Sequence, residues 1–200
     1  MVPTGVFLMK PGFEKLDWSA PIDVAEYIAH CPAEATVKGV IVQGVLKHLE
    51  RSGKSAPQGV GPFLTFKSYP LREHMQLTYD VARLAFPHRH ARESLRLLGQ
   101  QTFVAVKDTL IGKVVFGAMK DPASVLRLSS KAYEIVGSIA QVRVVEHGPH
   151  FAHTHVTNAY GFLDSFQVGV PEGVCLALDR TPEVAIRRVS LSEAHFWIEW

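Results

Sequence analysis

The feature that most constrains the fold is a change in the spacing of apolar residues near position 140. Before it, apolar side chains recur every three or four residues, as at Met75, Tyr79 and Ala82. After it, "QVRVVEHGPHFAHTHV" alternates on both sides of a Gly-Pro turn, and "EVAIRRVS" and "HFWIEW" alternate again. A period of 3.6 is typical of helices and a period of two is typical of strands. The pattern therefore predicts helices first, then a strand-strand-helix-strand-strand half.

The segments with helical period have recognisable ends. Gly53 follows the first segment, Pro70 suits the first turn of the second, and Asp121-Pro122 suits the start of the fourth. The predicted helices span residues 37–52, 70–86, 91–108, 121–136 and 162–178.

This order of elements predicts the class α+β, with N-terminal helices packed on a small antiparallel sheet. A chain of 200 residues suits one domain, which we place at residues 36–200. Residues 1–35 are predicted to form an extended arm, because prolines punctuate them and "DVAEYIAH" is their one helical piece.

Charge and composition exclude several classes of partner. The formal net charge is +2, so nucleic acid is not expected as a partner. Cys31 and Cys175 lack CxxC spacing, which argues against a disulfide framework or zinc ribbon and favours a cytoplasmic location. No apolar run approaches the roughly 18 residues of a membrane span. The glycines match no nucleotide-binding spacing, and no motif indicates a cofactor.

The segment "YGFLDSFQVGVPEGV" contains two stripes if residues 162–178 are helical. A large-residue stripe lies beside a small-residue stripe formed by Ser165, Gly169, Gly173 and Ala177. Each glycine costs up to about 1 kcal/mol of helix propensity relative to alanine, which indicates a close neighbour. We expect the helix to pack closely on its own sheet, with a ligand pocket or a homodimer contact as alternatives. Pro171 predicts a kink or a helix start.

Several segments resemble a paralogous family of unknown function that is expanded in myxobacteria. They are "KGVIVQGVLKHL", "YPLREHMQLTYDVARLAFP", "SLRLLGQQTF", "KAYEIV" and above all "YGFLDSFQVGVPEGV", and the resemblance covers residues 18–200. The order of elements is more distantly similar to vinyl-reductase-type and haem-nitric-oxide-binding-like ligand domains. That similarity implies a site between helices and sheet for haem, fatty-acyl chains or small hydrophobic effectors. The haem branch is similar only in outline, because its histidine, tyrosine, serine and arginine set cannot be placed on this chain.

These observations favour a non-enzymatic small-molecule-binding or regulatory module, whose ligand is hydrophobic and whose pocket lies between the sheet and the helices. The candidate lining residues are Tyr79, Phe103, Phe116, Tyr133, Phe162 and Phe166, each of which also suits plain core packing. The alternative function is a homodimeric protein-interaction adaptor that associates through Ser165, Gly169, Gly173 and Ala177.

A third function is metal binding, or metal-dependent catalysis, by the cluster between His147 and His155. His153 and His155 share one face of a predicted strand, and His150 in the turn could supply a third nitrogen ligand. Structural or surface roles are the favoured interpretation, because a metal site needs three or four supported ligands.

Other chemistry-bearing residues have plainer interpretations. Asp164 and Glu172 form a conceivable acid-base pair, although a helix-capping role for one of them, or its pairing with Arg180, is favoured. Cys175 lies among apolar residues and is predicted to be an inert buried thiol. The residues His88, Arg89, His90 and Arg92 are predicted to form an exposed loop at a helix entry.

Overall fold

The computed structural model describes residues 10–57, 59–107, 121–135 and 140–200. Within them, the helices are α1 Val24–His30, α2 Gly39–Arg51, α3 Leu71–Ala85, α4 Ala91–Lys107, α5 Pro122–Ile135 and α6 Phe166–Leu176. The strands are β1 Thr36–Lys38, β2 Ser68–Pro70, β3 Gln141–His147, β4 Phe151–Thr157, β5 Glu183–Arg188 and β6 Ala194–Glu199.

The C-terminal half forms one antiparallel sheet of four strands in the order β3-β4-β6-β5. Its register places Thr154 of β4 opposite Phe196 of β6, and Val142 of β3 opposite Val156. Successive side chains of a strand point to opposite faces, so alternate residues of these strands meet the helices. The predicted α+β class and the shared sheet for residues 141–157 and 183–200 are confirmed.

A second sheet of two short strands was missed by the sequence analysis. Strands β1 and β2 pair antiparallel, with Val37 opposite Tyr69. Helix α2 therefore begins at Gly39, two residues later than predicted. Alternation is not detectable over three residues, and the apolar spacing of α2 runs back through Val37.

The first described residues of the N-terminal arm, 10–14, lie against the outer face of the sheet. Phe13 packs with Ala185 and Trp197 in a cluster separate from the main core. Glu14 bridges Ile186 at the edge strand through two backbone hydrogen bonds of 2.9 Å. Farther along, Asp23 caps α1 by accepting a hydrogen bond from the Glu26 amide.

Helix α6 differs from its predicted bounds. It begins at Phe166 and continues through Pro171, so the predicted start near Pro171 is wrong. Phe162 lies before the helix in the left-handed region, with φ +57°. Its carbonyl accepts hydrogen bonds from the amides of Ser165 and Gln167 at 3.1 and 3.2 Å. These bonds turn the chain into the helix.

Candidate functional site

A cavity of about 180 Å³ lies between the four-stranded sheet and the helices. The sheet contributes its inner face, with Val142, Thr154, Val156 and Phe196 on the wall. Thr154, Val156 and Phe196 are at most 3% exposed, so this wall belongs to the core. The strand periodicity that predicts the sheet also brings these side chains to one surface.

Helices form most of the rest of the described wall, together with Val37 of β1 and Ala140. Residues from five helices border the cavity: Ile41 of α2, Leu71, His74, Met75 and Thr78 of α3, Thr102 and Phe103 of α4, Leu126 and Tyr133 of α5, and Phe166, Gln167, Val170, Pro171 and Val174 of α6. The loop before α6 adds Ala159, Tyr160, Gly161 and Phe162. None of the described lining residues is Asp, Glu, Lys or Arg, which makes the wall predominantly apolar.

Four of the six predicted lining residues lie on this wall. They are Phe103, Tyr133, Phe162 and Phe166. Phe116 lies outside the described residues. Tyr79 is placed elsewhere, beside Tyr27 and Arg92 in a second groove. One residue along a helix is a rotation of about 100°, so Thr78 faces the cavity and Tyr79 lies to its side.

His74 is the buried polar group that the sequence analysis missed. Its side chain borders the cavity, and burial lowers its pKa to about 4. Nδ1 has no hydrogen-bond partner. The spacing Leu71, His74, Thr78 follows the buried face of α3, so it offered a signal that a count of apolar residues alone overlooks.

The small-residue stripe packs against helix α4 and not against the sheet. A Cβ atom on Gly169 would overlap the Arg96 carbonyl oxygen and lie 2.9 Å from the Gln100 nitrogen. One on Gly173 would overlap the Gln100 carbonyl oxygen and lie 3.0 Å from its Cα. Close packing is therefore right and its predicted partner wrong. Ser165 is fully buried too, so this conformation leaves these three residues no surface for a second copy of the chain.

Glu172 lies on the same side of α6. Its carboxylate accepts two hydrogen bonds from Arg96, at 2.7 and 2.8 Å, and one from Gln100 at 2.9 Å. The Arg96 guanidinium also stacks 4.4 Å from the Trp18 ring centroid. A bidentate pair of this kind fixes both orientation and spacing, so it sets how α6 sits on α4.

Asp164 is held by two other guanidinium groups. Arg92 contacts it at 2.6 Å and Arg188 at 3.0 Å. Arg92 is therefore buried, in contrast to the exposed loop predicted for it, and it also donates to the Pro21 carbonyl of the arm at 3.0 Å. Neither carboxylate pairs with Arg180 as predicted. Asp164 and Glu172 therefore form ion pairs with separate arginines.

The histidines of the candidate metal cluster lie on the outer face of the sheet or in its turn. His153 Nε2 lies 3.0 Å from His195 Nδ1, and His155 Nε2 lies 2.8 Å from Glu193 Oε1. His150 is exposed in the turn. Within the described ranges, no three His, Cys, Asp or Glu side chains are arranged to hold a metal ion. One ring nitrogen each of His153 and His155 already has a partner within the protein.

Burial also affects two titrating groups near these sites. It lowers the pKa of His195 to about 4, with the neighbouring His155 acting in the same direction. It raises the pKa of the Cys175 thiol to about 12. A thiol with a raised pKa carries little thiolate, the nucleophilic form, which agrees with the predicted inert role.

Comparisons with known proteins identify a family and a fold. Residues 32–200 match the family described as "Protein of unknown function (DUF2378)". No curated protein sequence matches the chain.

Solved structures of H-NOX proteins are similar in fold. An Fe(II) unliganded H-NOX protein from K. algicida is 16% identical, with a TM-score of 0.61 over 81% of this chain and 95% of that one. An H-NOX protein from S. oneidensis in the Fe(II)NO ligation state is 13% identical, with a TM-score of 0.62 over 81% and 98%. At this identity the likeness concerns the fold. Among the described helices, none is long and apolar enough to cross a membrane.

Proposed function

The chain belongs to the DUF2378 family of unknown function, and we propose that it is a non-enzymatic binding module for a small, largely apolar molecule. The observation that carries this proposal is the cavity of about 180 Å³ with no acidic or basic side chain among its described lining residues. An apolar cavity of roughly 150 Å³ stays dry and binds benzene or xenon in another protein. A regulatory role would follow if occupancy changes the surrounding helices.

The backbone at Phe162 supports a functional role for the cavity. A bulky residue with positive φ costs about 1–3 kcal/mol, and such strain is concentrated at binding sites. Phe162 is fully buried, borders the cavity and lies against the Tyr27 ring at 5.5 Å between centroids. The strained residue therefore stands on the wall of the proposed ligand site.

The related H-NOX structures include one in the Fe(II)NO state, which raises haem as a candidate ligand. The residues of this cavity do not suit it. Pockets for drug-sized ligands enclose about 300–1,000 Å³, and the volume here is about 180 Å³. No arginine or lysine stands among the described lining residues to pair with propionate carboxylates. His74 could face an iron, but it is the single feature in favour.

Two further aspects of the proposal follow from burial. Catalysis is not part of it, since Asp164 and Glu172 are held in ion pairs and Cys175 is buried.

Cys31 and Cys175 are both free and buried, which supports a reducing, cytoplasmic location.

Binding can be tested with two variants on one strand. Val142 borders the cavity and Val144, two residues along on the same face of β3, does not. Toluene should raise the melting temperature of the wild-type protein, because a ligand that binds the folded state stabilises it. Val142→Phe should remove this shift by filling the cavity, whereas Val144→Phe should keep it.

The measurement is a thermal unfolding series with benzene, toluene and indole, followed by methyl NMR of the cavity residues. Native mass spectrometry of the purified protein would identify a retained molecule. The proposal fails if none of the probes shifts the melting temperature or the methyl resonances of the wild-type protein and nothing co-purifies.

A further inference from the structure

We infer that the bound molecule is uncharged and carries one hydroxyl-type proton donor, as a small phenol or alcohol does, and that it donates this proton to His74. The inference rests on the proposed function, because it specifies the chemistry of the same cavity. It depends on three observations: the protonation of the His74 ring, the hydrogen bonds that two neighbouring hydroxyl groups already donate, and the absence of charged side chains from the described wall.

The contacts around His74 favour one tautomer of its ring. Thr78 Oγ1 donates its one proton to the His74 carbonyl oxygen at 2.7 Å. Thr78 Oγ1 also lies 3.5 Å from His74 Nε2, a long contact in which this oxygen can only accept. The contact favours the hydrogen on Nε2, which leaves a lone pair on Nδ1.

That lone pair has no partner within the protein. Burial lowers the pKa of His74 to about 4, so the ring is neutral near pH 7 and Nδ1 is an acceptor. A buried acceptor without a partner costs about 1–3 kcal/mol. A proton donor on the ligand would recover this free energy by bonding to Nδ1. A carboxylate or a ketone would instead place an oxygen lone pair against the lone pair of Nδ1, which is repulsive.

Two other hydroxyl groups on the wall already donate their protons within the protein. Thr102 Oγ1 donates to the Leu98 carbonyl at 2.9 Å, and Tyr133 Oη donates to Gln167 Oε1 at 2.7 Å. These protons are not available to a ligand acceptor. An anionic ligand would also lack a cationic partner on the described wall, and burying an unpaired charge is costly. The absence of charge on the described wall thus selects a neutral ligand, and the unpaired Nδ1 acceptor of His74 selects one with a proton to donate.

The test compares ligands of similar size that differ in polarity: toluene, phenol and benzaldehyde. Their dissociation constants are measured by calorimetry or NMR on the full chain at pH 7.5. We expect phenol to bind the wild-type protein more tightly than benzaldehyde, which can only accept. In His74→Leu the dissociation constant of phenol should rise at least tenfold relative to that of toluene. Met75→Leu, the matched control on the same cavity wall, should leave the ratio of the two dissociation constants as it is in the wild-type protein.

A second measurement does not depend on a variant that might fold poorly. In ¹⁵N-histidine-labelled wild-type protein, His74 should show the Nε2–H tautomer, and phenol should shift its Nδ1 resonance upfield while toluene does not. The inference is overturned, with the proposed function intact, if toluene and phenol both bind while the Nδ1 resonance and the effect of His74→Leu are the same for each. If neither ligand binds the wild-type protein, the proposed function fails and the inference falls with it.

Discussion

The two faces of helix α6 are packed in opposite ways. On one face, Gly169 and Gly173 lie so close to α4 that a single added carbon would overlap backbone atoms. On the other face, Val170 and Val174 border a cavity of about 180 Å³. Interiors of proteins are normally close-packed throughout, so the open face is the exception. The contrast shows that the cavity is not loose packing in general, since the same helix is anchored tightly one residue away.

The largest expected effect comes from adding one carbon to each face. Gly173→Ala should lower the free energy of unfolding by about 3 kcal/mol, because α6 must move away from the α4 backbone and overpacking costs 1–3 kcal/mol or more. The gain in helix propensity, up to about 1 kcal/mol, offsets part of this. Val174→Ile should change it by less than about 1 kcal/mol, because its extra carbon enters the cavity. Urea unfolding of both variants measures the difference, and equal losses would break the comparison.

The next effect concerns the ion pair on the tight face. Glu172→Gln should lower the free energy of unfolding by about 2 kcal/mol, because it leaves Arg96 without its carboxylate. Removing one partner of a buried ion pair costs up to about 3–5 kcal/mol. The expected loss is smaller here because Arg96 is partly exposed to solvent. Glu93→Gln, which breaks the exposed pair with Arg89, should cost less than about 0.5 kcal/mol. A similar loss in both variants would mean that the ion pair between α4 and α6 contributes no more to the free energy of unfolding than a surface ion pair does.

On the open face, His74 makes stability depend on pH. Its folded-state pKa of about 4 lies below the roughly 6.5 of a histidine in the unfolded chain. The unfolded state therefore binds more protons between these values, and the free energy of unfolding falls as the pH is lowered through them. The expected loss between pH 7.5 and pH 5 is about 2 kcal/mol. Urea titrations at both pH values should show it in the wild-type protein.

His74→Leu isolates this contribution, because the other histidines remain in both proteins. His153 and His195 also have lowered pKa values through burial, so they contribute to the change of the free energy of unfolding with pH in the wild-type protein. The difference in this slope between the wild-type protein and the variant is the contribution of His74. An unchanged slope would show that the ring is not buried as a neutral group.

The smallest effect is expected at the polar contact that joins α5 to the open face of α6. Tyr133→Phe removes the hydrogen bond to Gln167 and should lower the free energy of unfolding by about 1 kcal/mol. Thermal unfolding measures the loss. A loss as large as that of Gly173→Ala would mean that the open face is held as rigidly as the tight one.

The fold could be predicted from the sequence wherever one periodicity continues for several residues. Strands β3 to β6 alternate clearly, and α2 to α5 begin and end within about two residues of their predicted bounds. Strands β1 and β2 could not be found, because three residues do not establish a period and their pairing is set by contacts distant in the chain.

The candidate site was predictable in its aromatic residues and not in its polar ones. Large apolar residues mark the core from spacing alone, which placed Phe103, Phe162 and Phe166 on the shared wall. The partner of the glycine stripe required knowledge of α4, where Gly99 also lies against Gly169, its Cβ position being 3.2 Å from the Gly169 Cα. His74 shares the spacing of the buried face of α3, but a pattern of apolar residues passes over it because its side chain is polar.

Strand β6 occupies an inner position in the sheet, between β4 and β5. Because β6 is the one neighbour of β5 among the four strands of this sheet, β5 cannot join the sheet during synthesis until the strand that follows it has emerged. Phe196 of β6 also borders the cavity, so the compartment closes at a late step of assembly. We therefore expect a bound molecule to retard unfolding more than it accelerates folding, which double-jump kinetics with and without toluene would reveal.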